Sequence, residues 1–281
     1  MAEGQRSTIA LLTDFGTRDP YAGIIRGVLA SQAPEARVVD LTHEIPPGDL
    51  RGAAFHLWQA HAFLPAGTIF LTVVDPGVGT ERRPIAVRLP NGCGVGPDNG
   101  VFSYLLDQGK LPDAVALDLS RLTNQPPSLT FHGRDLFAPA AARLAQGAAL
   151  ADLGSAARDL VALPAPRLEI RARGATGEVL SIDAFGNALT SVGRLSAAGA
   201  DVEFDPCWPS GPRLRFQAQA ACVEIGSRRL LLSRTFGEVP VGKPLAYIGS
   251  SQLLEIGVNG GRADQVLGLA RGNPVTLLFE G

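Results

Sequence analysis

Cysteine is scarce in this chain of 281 residues: Cys93, Cys207 and Cys222 stand far apart, with no C-x-x-C pair. An odd, scattered set argues against a disulfide framework and against a zinc site, and fits reduced, packed thiols in a cytoplasmic protein. Lysine is scarce beside arginine, and no run of basic residues occurs. With a formal net charge of −2, nucleic acid is not an expected partner. Long hydrophobic runs are missing too. The apolar stretch 9–12 follows a polar start and is too short for a signal peptide or a spanning helix, so no membrane association is expected. There is no internal repeat or low-complexity tract. What remains is 46% hydrophobic and 19% charged, a composition that buries a core, in a chain long enough for one or two domains.

The first half alternates between strand and helix patterns. Residues 9–13, 38–41, 68–74, 85–89 and 114–117 read as strands. Residues 20–31, 50–63, 102–106 and 135–144 read as helices, the first with Pro20 in its opening turn and Asp19 as its N-cap. Such alternation predicts an α/β domain over 1–163 with a mainly parallel sheet. At Leu163-Pro164-Ala165-Pro166 the pattern changes to a stiff linker. Beyond it come short β-runs at 168–171, 178–182, 213–216, 222–225, 229–232 and 275–279, with one helical stretch at 263–269. They predict a smaller all-β, barrel-like domain over 169–281.

In α/β sheets ligands gather at the carboxyl ends of strands. Three such ends carry polar residues: Thr13-Asp14, Asp40 with Thr42-His43, and Asp75. Each aspartate alone is best explained as a turn or cap residue. Asp14 is harder to dismiss, because it closes a buried strand where a carboxylate needs a partner, and a ribose diol is a good one. His43 reads as a satisfied loop histidine, and His56 and His61 point to different helix faces. No cluster has convincing metal-ligand spacing.

Two segments belong together chemically. Val74-Asp75-Pro76-Gly77-Val78-Gly79-Thr80-Glu81-Arg82-Arg83 puts a carboxylate at a strand end and two guanidiniums after a glycine-bearing turn. Phe131-His132-Gly133-Arg134-Asp135 puts an imidazole before a helix. Brought together, Asp, Arg and His can hold and activate one water molecule. The first segment lacks the glycine spacing and Lys-Ser/Thr ending of a phosphate loop, and Gly96-Pro97-Asp98-Asn99-Gly100 is turn chemistry, not a dinucleotide fingerprint. In the second half, Asp183-Ala184-Phe185-Gly186-Asn187 either makes an Asx-type turn or supplies a stacking ring, an adenine-pairing amide and a carboxylate for an ammonium. Glu255 lies in an apolar stretch, where a carboxylate is costly without a cation or donors.

Taken in order, Thr13-Asp14-Phe15-Gly16, the Asp75 segment, Gly96–Gly100, the His132 segment, Asp183–Asn187 and Leu254-Glu255-Ile256 resemble the S-adenosylmethionine hydroxide adenosyltransferase family, hydrolytic relatives of the fluorinases and chlorinases. The resemblance implies an α/β domain followed by a β-barrel-like domain, in a homotrimer with active sites between subunits. It implies hydrolysis of S-adenosyl-L-methionine to adenosine and L-methionine, with no cofactor and no metal. The catalytic triad falls on Asp75, Arg82 and His132, with Arg83 adjacent to Arg82. Asp14 falls on the ribose, Phe185 and Asn187 around adenine, and Asp183 near the methionine end. Ser250, Glu255 and Val258 complete the second wall. Of the triad, His132 is the favoured proton acceptor, from its ordinary pKa of about 6.5. Two alternatives to hydrolysis are a non-catalytic adenosine or S-adenosylmethionine binding protein and a halogenase.

Overall fold

The computed structural model describes residues 6–106, 110–123, 126–208, 211 and 213–279. The chain divides into two compact units, Met1–Leu163 and Pro164–Gly281.

The first unit is built from β1 (Thr8–Thr13), α1 (Tyr21–Gln32), β2 (Arg37–Thr42), α2 (Leu50–His61), β3 (Thr68–Val73), β4 (Pro84–Leu89), β5 (Gly92–Pro97), β6 (Ala114–Leu117), α3 (Leu119–Leu122), α4 (Ala138–Ala145), α5 (Leu150–Leu153) and β7 (Gly154–Ala156). Every residue of β1 and β3 is buried, which is why both read as unbroken apolar runs. Alternate residues Ile9 and Leu11 of β1, and Leu71 and Val73 of β3, share one face. They pack there with Ile25 and Leu29 of α1 and with Ala138, Ala141 and Ala142 of α4.

The sheet order is β2-β1-β3-β5-β4-β6-β7. The expectation of a mainly parallel sheet needs correction: β2, β1, β3 and β5 run parallel, whereas β5–β4, β4–β6 and β6–β7 are antiparallel. The reason lies in chain length. Only Pro90 and Asn91 separate β4 from β5, and a connection that short closes a hairpin but cannot make a parallel crossover. β5 was hidden by its glycines, which the tertiary structure requires. A Cβ at Gly94 would lie 2.6 Å from the Phe102 ring. Phe102 itself sits in a run of turns over 101–105, not in the helix expected at 102–106.

Two more local expectations change. The helix expected at 135–144 begins earlier, as a π-turn at Gly133–Phe137 that runs into α4. Asp19 does not cap α1: Pro20 holds the N-cap position, with no side-chain cap.

The second unit comprises β8 (Leu168–Arg171), β9 (Gly174–Ile182), β10 (Ala188–Ala198), β11 (Asp201–Asp205), β12 (Leu214–Gln217), β13 (Ala221–Ile225), β14 (Arg228–Ser233), β15 (Pro244–Ile248), β16 (Leu253–Val258), α6 (Ala263–Leu267) and β17 (Pro274–Phe279). The strand order is β12-β11-β10-β16-β15-β14-β13-β17-β9-β8, and a further β9–β10 pairing closes the run from β10 to β9 into a seven-stranded barrel. Its core holds Val192, Phe204, Leu254, Ile256 and Leu277. β10, β11, β15 and β16 were not legible as strands. In β10, Thr190-Ser191 and Gly193 interrupt the apolar pattern, and Gly193 has φ +100° with the Phe204 ring where a Cβ would stand.

Candidate active site

Asp75 lies just beyond the end of β3, and the turn after it sends the chain back. Val78 N–H donates to the Asp75 carbonyl (3.2 Å), and both Thr80 N–H (3.1 Å) and Thr80 Oγ1 (2.7 Å) donate to the Gly77 carbonyl. Gly79 needs to be glycine: its φ is +78°, and a Cβ there would lie 2.6 Å from the Leu129 carbonyl oxygen. The turn returns Arg82 to Asp75. Arg82 Nε donates to Asp75 Oδ1 (2.8 Å) and Nη2 bonds Asp75 Oδ2, a two-pronged pairing. The same Nη2 also meets His132 Nδ1 at 2.6 Å. The pair is nearly dry, with side-chain exposure of 6% for Asp75 and 10% for Arg82, and the Arg82 guanidinium lies 5.2 Å from the centre of the Phe137 ring. Asp75, Arg82 and His132 therefore form one connected group.

This geometry sets the state of His132. Arginine has only donors, so Nδ1 must be the acceptor, the ring is neutral, and its hydrogen sits on Nε2. Burial, and then the Arg82 charge, push the His132 pKa below its ordinary value, in agreement with a neutral ring. Arg82 Nη1 is buried and has no hydrogen-bond partner among the described residues. His132 stands directly before the π-turn, a distortion frequent at functional sites. Gly133 lets that turn settle on the sheet, since a Cβ there would lie 3.1 Å from Ile25 and 3.2 Å from Val73.

Arg83 faces a different set of partners. Its Nε (2.9 Å) and Nη2 (2.6 Å) donate to Asp98 Oδ2, and Nη1 donates to Asp159 (2.8 Å). Of the two adjacent arginines, Arg82 alone contacts Asp75 and His132 in the described structure. Asp14, half-buried, accepts from Gly48 N–H at 2.9 Å. Burial raises its pKa against that bond, and the negative charge of Asp75 raises it further. Phe15, Tyr21 and Phe131 form a cluster with ring centroids 5.4–5.9 Å apart, in which Phe131 meets both other rings edge to face; Phe15 follows Asp14 and Phe131 precedes His132 in sequence.

In the second unit, Asp183 Oδ1 accepts from Phe185 N–H (2.9 Å) and Asn187 N–H (2.8 Å), and Oδ2 from Asn187 Nδ2 (2.9 Å). This is the Asx-type turn, and it occupies both oxygens of Asp183. Phe185 projects from the turn and is exposed, whereas Asn187 is buried. Gly257 lies beside Asn187. A Cβ at Gly257 would be 3.0 Å from Asn187 Oδ1 and 2.7 Å from Phe236, so glycine lets these two side chains approach. Phe236 in turn packs on Tyr247 with centroids 4.9 Å apart.

Glu255 is 7% exposed and accepts from the Tyr247 hydroxyl at 2.7 Å. Burial raises its pKa, and the charge of Asp183 adds to the rise. Gly249 makes room for it, since a Cβ there would lie 1.8 Å from Glu255 Oε1. Ser250 is exposed in the tight turn between β15 and β16. Val258 has its side chain in the barrel core, and its carbonyl accepts from Gly261 N–H at 3.1 Å.

Phe236 and Tyr247 were missed from sequence. Tyr247 joins Glu255 through the pairing of β15 with β16, where the two are opposite, and Phe236 packs on Tyr247 in the space that Gly257 leaves. No group of three or more His, Cys, Asp or Glu able to hold a metal occurs among the described residues. No helix among them is long and apolar enough to cross a membrane.

Comparison with known proteins identifies the family. Residues 9–154 match the SAM hydroxide adenosyltransferase N-terminal domain, and residues 177–276 match the C-terminal domain. A protein of Thermus thermophilus named (R)-S-adenosyl-L-methionine hydrolase is 44% identical over 281 residues, spanning 96% of this chain and 99% of its own length. One of the same name from Salinispora arenicola is 43% identical, spanning 94% and 95%. A fluorinase of Actinopolyspora mzabensis is more distant, 27% identical over 90% of this chain and 91% of its own. Among solved structures, an uncharacterized conserved protein from Thermotoga maritima superposes with a TM-score of 0.82 at 30% identity, covering 96% of this chain and 99% of that one. With both family domains matched in order along its length, this chain belongs to the SAM hydroxide adenosyltransferase family.

Proposed function

We propose that this protein hydrolyses S-adenosyl-L-methionine to adenosine and L-methionine. The observation that carries the reading is the Asp75–Arg82–His132 group, with a buried guanidinium nitrogen left to donate. Water attacks the ribose C5′ in line with the C–S bond. The new C–O bond forms as the C–S pair withdraws onto sulfur, which leaves as the neutral thioether of methionine, and the water passes one proton to the Asp75 carboxylate, from which it reaches solvent. Attack by hydroxide-like oxygen on a sulfonium cancels charge, so exclusion of bulk water favours it. Positioning the oxygen in line can contribute ~7–11 kcal/mol.

Each triad member has a role. Arg82 Nη1 donates to the oxygen and stabilises its developing negative charge. Asp75 orients the guanidinium and accepts from the water. His132, with Nδ1 held by Arg82, faces the site as an Nε2–H donor rather than as the resting proton acceptor expected from sequence. Asp14 accepts from the ribose hydroxyls. Asn187 pairs with the adenine edge, with Phe236 and Phe185 as stacking faces. Glu255, with Asp183 and Ser250 near it in the chain fold, receives the ammonium of the methionine end. No cofactor takes part. The protein acts in the cytoplasm as a homotrimer, each site drawing Asp75 from one subunit and Asn187 from its neighbour.

The deciding experiment mixes purified protein with the (R) and (S) sulfonium epimers of S-adenosyl-L-methionine and follows nucleosides by chromatography. Adenosine supports the reading. A halogenated nucleoside formed in the presence of halide, or tight binding without product, refutes it.

Two further outcomes are expected. Protonating His132 would turn an N–H towards the Arg82 guanidinium and break their contact. Turnover should therefore fall towards acid with a midpoint below the ordinary histidine value of about 6.5, because burial and Arg82 lower that pKa. A pH profile of kcat/KM, which reports the free enzyme, checks this, and His132→Asn should remove the limb. Separately, a variant at Asp75 mixed with a variant at Asn187 should regain activity on subunit exchange. A fully active monomer by light scattering would refute the shared site.

A further inference from the structure

His43 is buried, only 8% exposed, although it lies on the loop after β2 and takes no part in the chemistry above. Its Nδ1 is 2.9 Å from Thr13 Oγ1, at the end of β1. Thr13 Oγ1 also accepts from Phe15 N–H at 3.3 Å. Asp40 Oδ1, which can only accept, faces Nε2 at 3.5 Å, so the ring hydrogen is on Nε2 and the Thr13 hydroxyl donates to Nδ1. Asp40 Oδ2 in turn accepts from Arg26 of α1 at 2.7 Å.

The main chain is tied in the same place. Gly16 N–H donates to the His43 carbonyl at 2.7 Å, and Thr17 Oγ1 donates to Glu44 at 3.0 Å. Asp14 lies between Thr13 and Phe15, both held by this chain, and accepts from Gly48 N–H on the loop that His43 begins. Asp14 is half-buried and close to the charge of Asp75, so its carboxylate stays in place only if both loops are held.

We propose that the Asp40–His43–Thr13 chain is a positioning device for Asp14, which fixes the carboxylate so that it selects a ribose diol over a deoxyribose. This rests on the reading of Asp14 as the ribose acceptor. His43 is a positioning residue and touches no reacting atom.

The test compares adenosine with 2′-deoxyadenosine by calorimetry, alongside steady-state kinetics and thermal melts. Wild type should prefer adenosine by roughly tenfold or more, equivalent to one hydrogen bond to a charged group. Asp14→Ala should abolish the preference. His43→Ala and the isosteric Thr13→Val should lower it to within about twofold and raise KM roughly tenfold, with kcat within a factor of a few. His43→Gln, whose amide can accept from Thr13 and donate to Asp40, should restore most of it.

A folded Thr13→Val or His43→Ala that keeps the full preference overturns the proposal. So does an equal loss of affinity for both nucleosides, the mark of a merely structural effect. If His43→Ala does not fold, Thr13→Val decides. A wild type that hydrolyses the substrate while only Asp14→Ala loses selectivity defeats this inference alone. A wild type with neither hydrolysis nor ribose preference defeats the functional reading with it.

Discussion

Arg82→Lys is expected to lower turnover by at least ~100-fold, the typical loss when a positioned electrostatic group is removed. Lysine keeps the positive charge beside Asp75 but cannot reproduce the fork. In the structure one guanidinium spans both Asp75 oxygens and His132 Nδ1, and still presents Nη1. An ammonium has three donors at a single point and would have to give up at least one of these. Asp75→Asn and His132→Ala should fall into the same range, because each removes one end of the same connected group. Substrate affinity should change far less, since Asp14 and Asn187 remain. Adenosine formation at saturating substrate, set beside binding by calorimetry, measures the split. A lysine variant with near-normal turnover would show that the planar fork is not what activates the water.

The neighbouring residue should behave in the opposite way. Arg83→Ala removes the cation from Asp98, whose side chain is 3% exposed, and leaves a buried carboxylate held chiefly by the Val161 N–H at 2.8 Å. Stranding a buried charge costs about 3 kcal/mol or more, although Arg83 is itself 35% exposed and water can reach part of the gap. For a unit of this size that lowers Tm by roughly 6–12 °C. Turnover per folded molecule should hold within a factor of a few. Adding Asp98→Asn should recover part of the loss, because the stranded group is then neutral. A calorimetric melt and an activity titration below Tm check both halves. An unchanged Tm would mean that the Arg83–Asp98–Asp159 network contributes only as a surface pair.

The two arginines show why part of this site was legible and part was not. Asp75, Arg82 and His132 are of the right chemical types near a strand end and a helix start, so a water-holding group could be inferred from residue order. Which arginine joins it could not. That depends on how the Gly77–Gly79 turn rotates the chain, and on Asp98 and Asp159 waiting on the other side. The same holds for the second unit. Asn187 and Glu255 stood out as a carboxamide after a turn and a carboxylate in an apolar stretch. Phe236 and Tyr247 carry no motif: the β15–β16 register brings Tyr247 opposite Glu255, and Phe236 packs on Tyr247. By sequence Asp183 suits both a turn former and an ammonium acceptor. Its two oxygens are engaged by Phe185 and Asn187, and Glu255 is the carboxylate with fewer ties.

By itself, the sequence determined the elements whose signal is local. Unbroken apolar runs marked β1 and β3, and the proline-bearing break at Leu163-Pro164 coincides with the division between the units. Six ordered motifs marked the family. Only the tertiary structure decided what depends on partners distant in the chain. It made the first sheet mixed, because two residues between β4 and β5 cannot make a crossover. It made glycine necessary at positions 94, 249 and 257, because Phe102, Glu255 and Phe236 fill the space a side chain would take. It also set the tautomer of His132, because a guanidinium can only donate and the imidazole next to it must therefore accept. Spacing along a chain records residue type and distance in sequence, whereas packing and hydrogen-bond direction exist only once strands are paired.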